Sequence, residues 1–216
     1  MESVRPVSKS TPTPPSPGLD PDVLDSAKLL WKRMLRSPGS IGTVAPSSPW
    51  LARALVGVSM LDEADVVVEV GAGTGPLTSW IREAASNARF LALEPDRELR
   101  TALRDAHPGL DVSSATARDL PAVLARRNLP GADRVLSSVP WSLLPPRAME
   151  REIDGIVEAL APGGRFVTLV YAHAQALPTT RRLEAALRER FSCLTMSGVV
   201  WRNVPPGRWL VAERPR

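Results

Sequence analysis

The chain carries a single cysteine, Cys193, in 216 residues. That count excludes an internal disulfide and a cysteine-rich zinc site, and in a segment of strand character the thiol reads as a small core residue. No apolar run approaches the ~20 residues needed to cross a bilayer. The start Met1-Glu2-Ser3-Val4 lacks the apolar core of a secretory signal, so the cytosol is the expected place. Metal-ligand spacing, a nucleophile-base pair and internal repeats are also missing, and Tyr171 is the only tyrosine.

What is present suits one domain with an ample core and a tail: 44% of residues are apolar. A net charge of +4 and an isoelectric point near 10.0 favour an anionic partner, nucleic acid or a lipid surface. Residues 1–19 are rich in Pro, Ser and Thr with little to bury, and read as a disordered tail. Residues 20–38 hold a helix in which Val23, Leu24, Ala27, Leu30, Trp31, Met34 and Leu35 share one face, with Lys28, Lys32, Arg33 and Arg36 on the other. A cationic amphipathic helix of this kind either lies in a membrane interface or packs on the core with a solvated basic face.

The remainder, 39–216, alternates strands and helices. After an irregular stretch over 41–48, a helix begins near Pro49 with Ser47 or Ser48 as its cap. Strands are expected at 66–70, 89–93, 110–114, 132–137 and 165–171, with helices to about 86 and over 96–106, 120–127, from Pro145-Pro146 to Pro162-Gly163-Gly164, and over 179–190. Segments 191–201 and 207–212 are too closely spaced for a parallel crossover and must pair antiparallel.

The organising stretch is Val66 to Gly75, VVVEVGAGTG. Four valines and one acid end in a glycine turn built from Gly71, Ala72, Gly73 and Gly75, which lets a ligand lie against bare backbone. The pattern is G-x-G-x-G; the dinucleotide fingerprint would need a glycine where Pro76 stands, and Pro76 suits the first turn of the next helix. Glu69 is awkward to bury unless it accepts hydrogen bonds. Glu94, followed by Pro95 at the end of the second strand, stands at the distance expected of a ribose-diol acceptor.

Together these features resemble the S-adenosylmethionine-dependent methyltransferases. The resemblance implies a Rossmann-like class I fold: α/β, with a seven-stranded, mostly parallel sheet, helices on both faces and a C-terminal antiparallel hairpin. The glycine turn then seats methionine and ribose moieties of S-adenosyl-L-methionine.

Three further segments narrow this. Gly42-Thr43-Val44-Ala45-Pro46-Ser47-Ser48, Ser137-Ser138-Val139-Pro140-Trp141 and Val200-Trp201-Arg202-Asn203-Val204-Pro205-Pro206 resemble the soluble bacterial phospholipid N-methyltransferases. That family methylates phosphatidylethanolamine stepwise, and its core is similar to that of the ribosomal RNA adenine dimethylases. The resemblance covers about residues 28–213 and implies an amphipathic helix ahead of the domain, peripheral attachment to the inner face of the cell membrane, an amino-phospholipid substrate and no metal. The family's Gly-Asp-Ala is replaced here by Ala115-Thr116-Ala117, so the acid for the adenine amino group is missing; Thr116 or Asp119 is left to serve. Trp141 also stands where relatives often carry an aliphatic residue.

An amine like that of lysine has a pKa near 10, so only ~0.1% or less is neutral at pH 7, and the site must lower that pKa or take the proton. Tyr171 is expected to orient the amine and His173 to take a proton or grip a phosphate, since both stand at the carboxyl end of the fifth strand. Trp141 forms either an aromatic wall for a methylated ammonium or a hydrophobic plug. Ser137 joins the cofactor set, while Arg202, as a phosphate fork or a solvated loop cation, and Ser47 are the substrate-side candidates. Two other functions stay open: a nucleic-acid adenine methyltransferase, against which stand the absence of an added RNA-holding domain and Ser138-Val139-Pro140-Trp141 in place of Asn-Ile/Leu-Pro-Tyr/Phe, and a degenerate, non-catalytic membrane-binding fold.

Overall fold

The computed structural model describes residues 47–215; the expected tail and the amphipathic helix of 20–38 lie outside the described residues. The described chain runs α1 (Pro49–Ser59), β1 (Val66–Val70), α2 (Thr78–Ala84), β2 (Arg89–Leu93), α3 (Arg97–Ala106), β3 (Asp111–Ser113), α4 (Leu120–Ala125), β4 (Ala132–Ser137), α5 (Pro146–Ala159), β5 (Leu160–Tyr171), α6 (Pro178–Arg190), β6 (Phe191–Met196) and β7 (Gly207–Pro215). The seven strands form one sheet in the order β3-β2-β1-β4-β5-β7-β6. Strands β1 to β5 are parallel where they pair, and β7 runs antiparallel to both β5 and β6, which is the seven-stranded class I arrangement expected.

Side-chain alternation explains how the sheet is covered. Val66, Val68 and Val70 of β1 enter one core with Phe166, Val170, Leu210 and residues of α4, α5 and α6. Val67 enters the other with Val167, Leu169, Trp209 and residues of α1 and α2. Both faces of β1 are buried, so its sequence is continuously apolar except at Glu69. Trp209 is fully buried, and its indole N–H donates to the Leu51 carbonyl at 2.9 Å, tying β7 to α1. On the other face, Gly155 lets α5 approach the 3-10 turn Ala117–Asp119: a Cβ there would stand 2.4 Å from the Arg118 Cα.

Caps follow the polar residues. Ser48, the residue after Ser47, caps α1 by accepting the Leu51 N–H, and Asp96 caps α3 by accepting from Glu98 and Leu99. Pro76 stands ahead of α2, whose cap is Leu77, rather than in its first turn, because the glycine turn continues through it. Helix α5 ends at Ala159, before Pro162-Gly163-Gly164, and β5 begins early at Leu160 with a register shift against β4. Strand β6 stops at Met196; residues 197–206 form a loop with one bridge, Val200 to Gly207.

Candidate active site

The carboxyl ends of β1, β2, β4 and β5 bring the expected residues to one edge of the sheet, where open α/β folds bind ligands. The turn after β1 holds Gly71, Gly73 and Gly75 at φ of 73°, 60° and 93°, a region that disfavours side chains. The Gly71 and Ala72 N–H groups both donate to the Leu93 carbonyl, so the turn leans on the end of β2. At Gly73 an added Cβ would meet nothing within 4 Å, leaving open space above bare backbone; at Gly75 it would run into the His107 ring, 2.6 Å from Nε2. Gly75 therefore serves packing, and Gly73 presents the seat.

Glu94 is fully buried. Its Oε2 accepts the Gly73 N–H and its Oε1 the Asp96 N–H, both at 2.8 Å. Burial pushes its carboxyl above the usual range against the pull of these two bonds. Each oxygen keeps a second lone pair for a diol. Pro95 beside it is exposed. Glu69 is 2% exposed and accepts the Thr78 hydroxyl at 2.6 Å; burial raises its pKa to about 7. The needed hydrogen bond thus comes from α2, a partner nine residues downstream.

The turn after β4 closes the other side. Ser137 is buried and accepts the Val139 N–H on its hydroxyl, while the Ser138 hydroxyl donates to the Gly71 carbonyl at 3.3 Å. Trp141 does not form the aromatic wall. It is 2% exposed, its indole N–H donates to the Thr168 hydroxyl at 2.8 Å, and it meets Phe166 edge-on at 6.0 Å. Both ring faces are used by the core, so it is a plug.

Beyond β3, Thr116 does not point its hydroxyl at a free space: it donates to Glu152 of α5 at 3.0 Å. Glu152 also accepts the Arg118 N–H, and burial raises its pKa. A carboxylate from a distant helix thus lies against Ala115-Thr116-Ala117. Asp119 is half-buried and pairs with Arg118 at 3.6 Å.

At the end of β5, Tyr171 is half-buried with its phenol pushed up to about 12 by burial, and it stacks on exposed His173 with centroids 5.8 Å apart. The phenol stays protonated at neutral pH. The Pro206 carbonyl accepts the Ala172 N–H at 2.8 Å, which brings the 197–206 loop to this rim. Buried Asn203 anchors that loop: its Oδ1 accepts the Ser48 N–H at 2.9 Å and its amide donates to Pro205. Arg202 consequently lies over the Trp50 ring at 4.6 Å, and Arg53 stands 5.4 Å from Trp50 and 5.8 Å from Trp80. Trp201, Val204 and Trp50 are 75%, 65% and 45% exposed. Half-buried Ser47 lies next to this anchor point.

Sequence reasoning missed Thr78, Ser138, Glu152, Asn203 and the Trp50 platform. Two of these had a local signal: Asn203, a turn residue within Arg202-Asn203-Val204-Pro205-Pro206, and Ser138, within Ser137-Ser138-Val139-Pro140-Trp141. Among the described residues no cluster of His, Cys, Asp and Glu is placed to hold a metal, and no helix is long and apolar enough to cross a membrane.

No family model matches the chain. It is 37% identical over 132 residues to the ornithine lipid N-methyltransferase of Singulisphaera acidiphila, an alignment covering 59% of this chain and 68% of the relative. It is 29% identical over 134 residues to ribosomal RNA small subunit methyltransferase A of Thermotoga maritima, covering 61% of this chain but only 45% of that protein. The fold matches the N-methyltransferase NodS of Bradyrhizobium japonicum in complex with S-adenosyl-L-homocysteine, with a TM-score of 0.62 over 88% of this chain and 99% of NodS at 14% identity.

Proposed function

The chain belongs to the class I S-adenosylmethionine-dependent methyltransferases, and from that premise we propose that it methylates the amine of a membrane aminolipid headgroup, phosphatidylethanolamine and its methylated derivatives or an ornithine lipid. Membership of the superfamily rests on the lipid N-methyltransferase relative together with the sheet order. The observation that carries the lipid reading is the exposed tryptophan-arginine platform at the β5 rim. Trp50, Trp201 and Val204 offer apolar surface, Arg53 and Arg202 offer charge, and among the described residues neither guanidinium pairs with a carboxylate. Interfacial tryptophans with nearby cations suit an anionic lipid surface. The expected helix at 20–38 would add to the same attachment.

S-adenosylmethionine supplies the electrophilic methyl group. The fit of the seat is read from open space over Gly73 and the spare lone pairs of Glu94. The chain's own part is alignment and proton handling. Glu94 and the Gly73 turn would hold a ribose, and Glu152, through Thr116, shapes the loop assigned to adenine. Tyr171, protonated at neutral pH, orients the amine through its phenolic oxygen rather than acting as a base. His173, exposed beside it, is the group in position to pass the amine proton to solvent. Alignment of the lone pair with the departing methyl is then the principal demand.

The test is incubation of purified protein with methyl-labelled S-adenosylmethionine and liposomes containing phosphatidylethanolamine or ornithine lipid. Label is expected in the lipid fraction. Label found only in added ribosomal RNA would overturn the lipid reading in favour of a nucleic-acid methyltransferase. S-adenosylhomocysteine binding without transfer to either would point to a non-catalytic membrane module.

A further inference from the structure

The exposed large apolar side chains among the described residues are Trp50, Met60, Leu177, Trp201 and Val204. Chain direction brings four of them to one edge of the sheet. Helix α1 leads from Trp50, beside the Ser48–Asn203 hydrogen bond, back to Ser59, whose carbonyl accepts the Arg134 Nε–H near the start of β4. Leu177 precedes α6 in the segment that follows Tyr171, the last residue of β5. Trp201 and Val204 belong to the loop that enters β7 at Gly207, the register partner of Tyr171. Of the five, only Met60 stands at the amino edge, where its carbonyl also accepts from Arg134. Single exposed apolar residues are ordinary, but their collection at the edge that carries the site marks a surface for a partner.

The loop before β7 holds its apolar residues outward by construction. Val200 bridges to Gly207, so residues 201–206 close as a short tip, and buried Asn203 spends its polar atoms inside, on the Ser48 N–H and the Pro205 carbonyl. Trp201, Arg202 and Val204 are left outside. Beside them the guanidiniums of Arg202 and Arg53 lie against the Trp50 ring. An apolar wedge with an aromatic ring and cations next to it has the layering of a membrane interface, hydrocarbon first and anionic headgroups behind. The residues ahead of the described chain join it at Ser47, next to the Ser48–Asn203 anchor, so the cationic helix expected at 20–38 is tethered to this same edge.

We infer that the 201–206 tip inserts Trp201 and Val204 into an anionic bilayer, with Leu177, ahead of the helix on the opposite face of the sheet, as the second contact, and so sets the carboxyl edge of the sheet down on the membrane. Its consequence for catalysis rests on the lipid reading above; the docking itself does not. The tip and the site move as one piece, because the Pro206 carbonyl accepts the Ala172 N–H and Gly207 lies opposite Tyr171. An aminolipid then reaches Tyr171 sideways from the bilayer on which the protein already rests, without being lifted through water.

The test uses the full chain as single-cysteine variants, Cys193→Ser combined with Val204→Cys, Leu177→Cys or Met60→Cys, each carrying a nitrobenzoxadiazole label. On addition of vesicles of phosphatidylglycerol and phosphatidylethanolamine, emission at positions 204 and 177 should rise at least twofold, shift to shorter wavelength and be quenched by nitroxide-bearing lipid. The label at position 60, exposed but at the amino edge, should stay at its value in water. An equal response at position 60 would replace oriented docking with unspecific adsorption, and silence at position 204, whether or not the protein binds the vesicles, would overturn the inference. A response at position 204 to ribosomal RNA and not to vesicles would make the tip a nucleic-acid surface and overturn it as well. Trp201→Ser with Val204→Ser should lower methyl transfer to phosphatidylethanolamine in vesicles at least tenfold, but to monomeric dihexanoyl phosphatidylethanolamine less than threefold; equal losses on both would deny the tip its part in lipid entry. Insertion at position 204 without transfer to any lipid would keep the docking edge and sink the lipid-methylation reading, and transfer to lipid with position 204 silent would do the reverse.

Discussion

The Gly73 amide donates to Glu94 at 2.8 Å, across the tips of two neighbouring parallel strands. One carboxylate thus sets the shape of the turn that presents bare backbone and keeps lone pairs for a ligand at the same place. Glu94→Gln replaces this charge-assisted bond with a neutral one and turns half of the group into a donor. S-adenosylhomocysteine binding should weaken about tenfold, roughly the 1.4 kcal/mol difference between charged and neutral bonds. Titration calorimetry checks this, and unchanged affinity would remove Glu94 from the cofactor set.

Glu69 makes stability depend on pH. Its folded-state pKa, raised to about 7, exceeds the 4.5 of the unfolded chain, so the folded state holds a proton that the unfolded state has released. Its contribution is fully present below about pH 4.5 and is lost as pH rises to about 7, by on the order of 3 kcal/mol. Glu69→Gln keeps an acceptor for Thr78 and should flatten the fall in unfolding free energy over that window. Parallel urea titrations of the two proteins at pH 5 and pH 8 measure the difference.

Glu152 holds the loop after β3 through the Thr116 hydroxyl and the Arg118 amide. Glu152→Ala strands both donors and should cost about 1–3 kcal/mol, seen as a lowered Tm, together with weaker S-adenosylhomocysteine binding. A loss of Tm with unaltered binding would confine Glu152 to a structural role.

Arg53→Glu with Arg202→Glu reverses both cations of the platform without touching the core. At ~1 kcal/mol per charge near an anionic leaflet, partition onto phosphatidylglycerol liposomes should fall at least tenfold, with the S-adenosylhomocysteine affinity retained. Trp31→Ala with Lys32→Glu tests the separate expectation for the helix ahead of the domain in the same sedimentation assay. If neither pair alters sedimentation, attachment lies elsewhere.

The seven-strand order was legible because each signal is local. A continuous apolar run with a glycine turn marks β1, prolines and polar caps mark the helices, and the short spacing between segments 191–201 and 207–212 leaves room only for the antiparallel pairing that β6 and β7 make. Element ends were less so: hydrogen-bond register with a neighbour, which no single segment encodes, started β5 at Leu160 and stopped β6 at Met196.

Residue types near the site followed from the sequence, but their partners did not. Trp141 looked equally suited to a wall or a plug, and only the approach of Thr168 and Phe166 from β5 made it a plug. No acid stands at Thr116 in the chain, and the carboxylate that its hydroxyl meets, Glu152 of α5, comes from 36 residues away. Arg208 read as one basic residue among 27 Lys and Arg, and tertiary packing set it apart by burying its Nε without a partner and placing its Nη1 on the Met196 sulfur. The sequence by itself determined the strands, the glycine seat and the acids beside it, because periodicity and backbone freedom act over a few residues. Only the tertiary structure decided which polar groups find partners and which are left without one, because hydrogen-bond partners and desolvation depend on segments far apart in the chain.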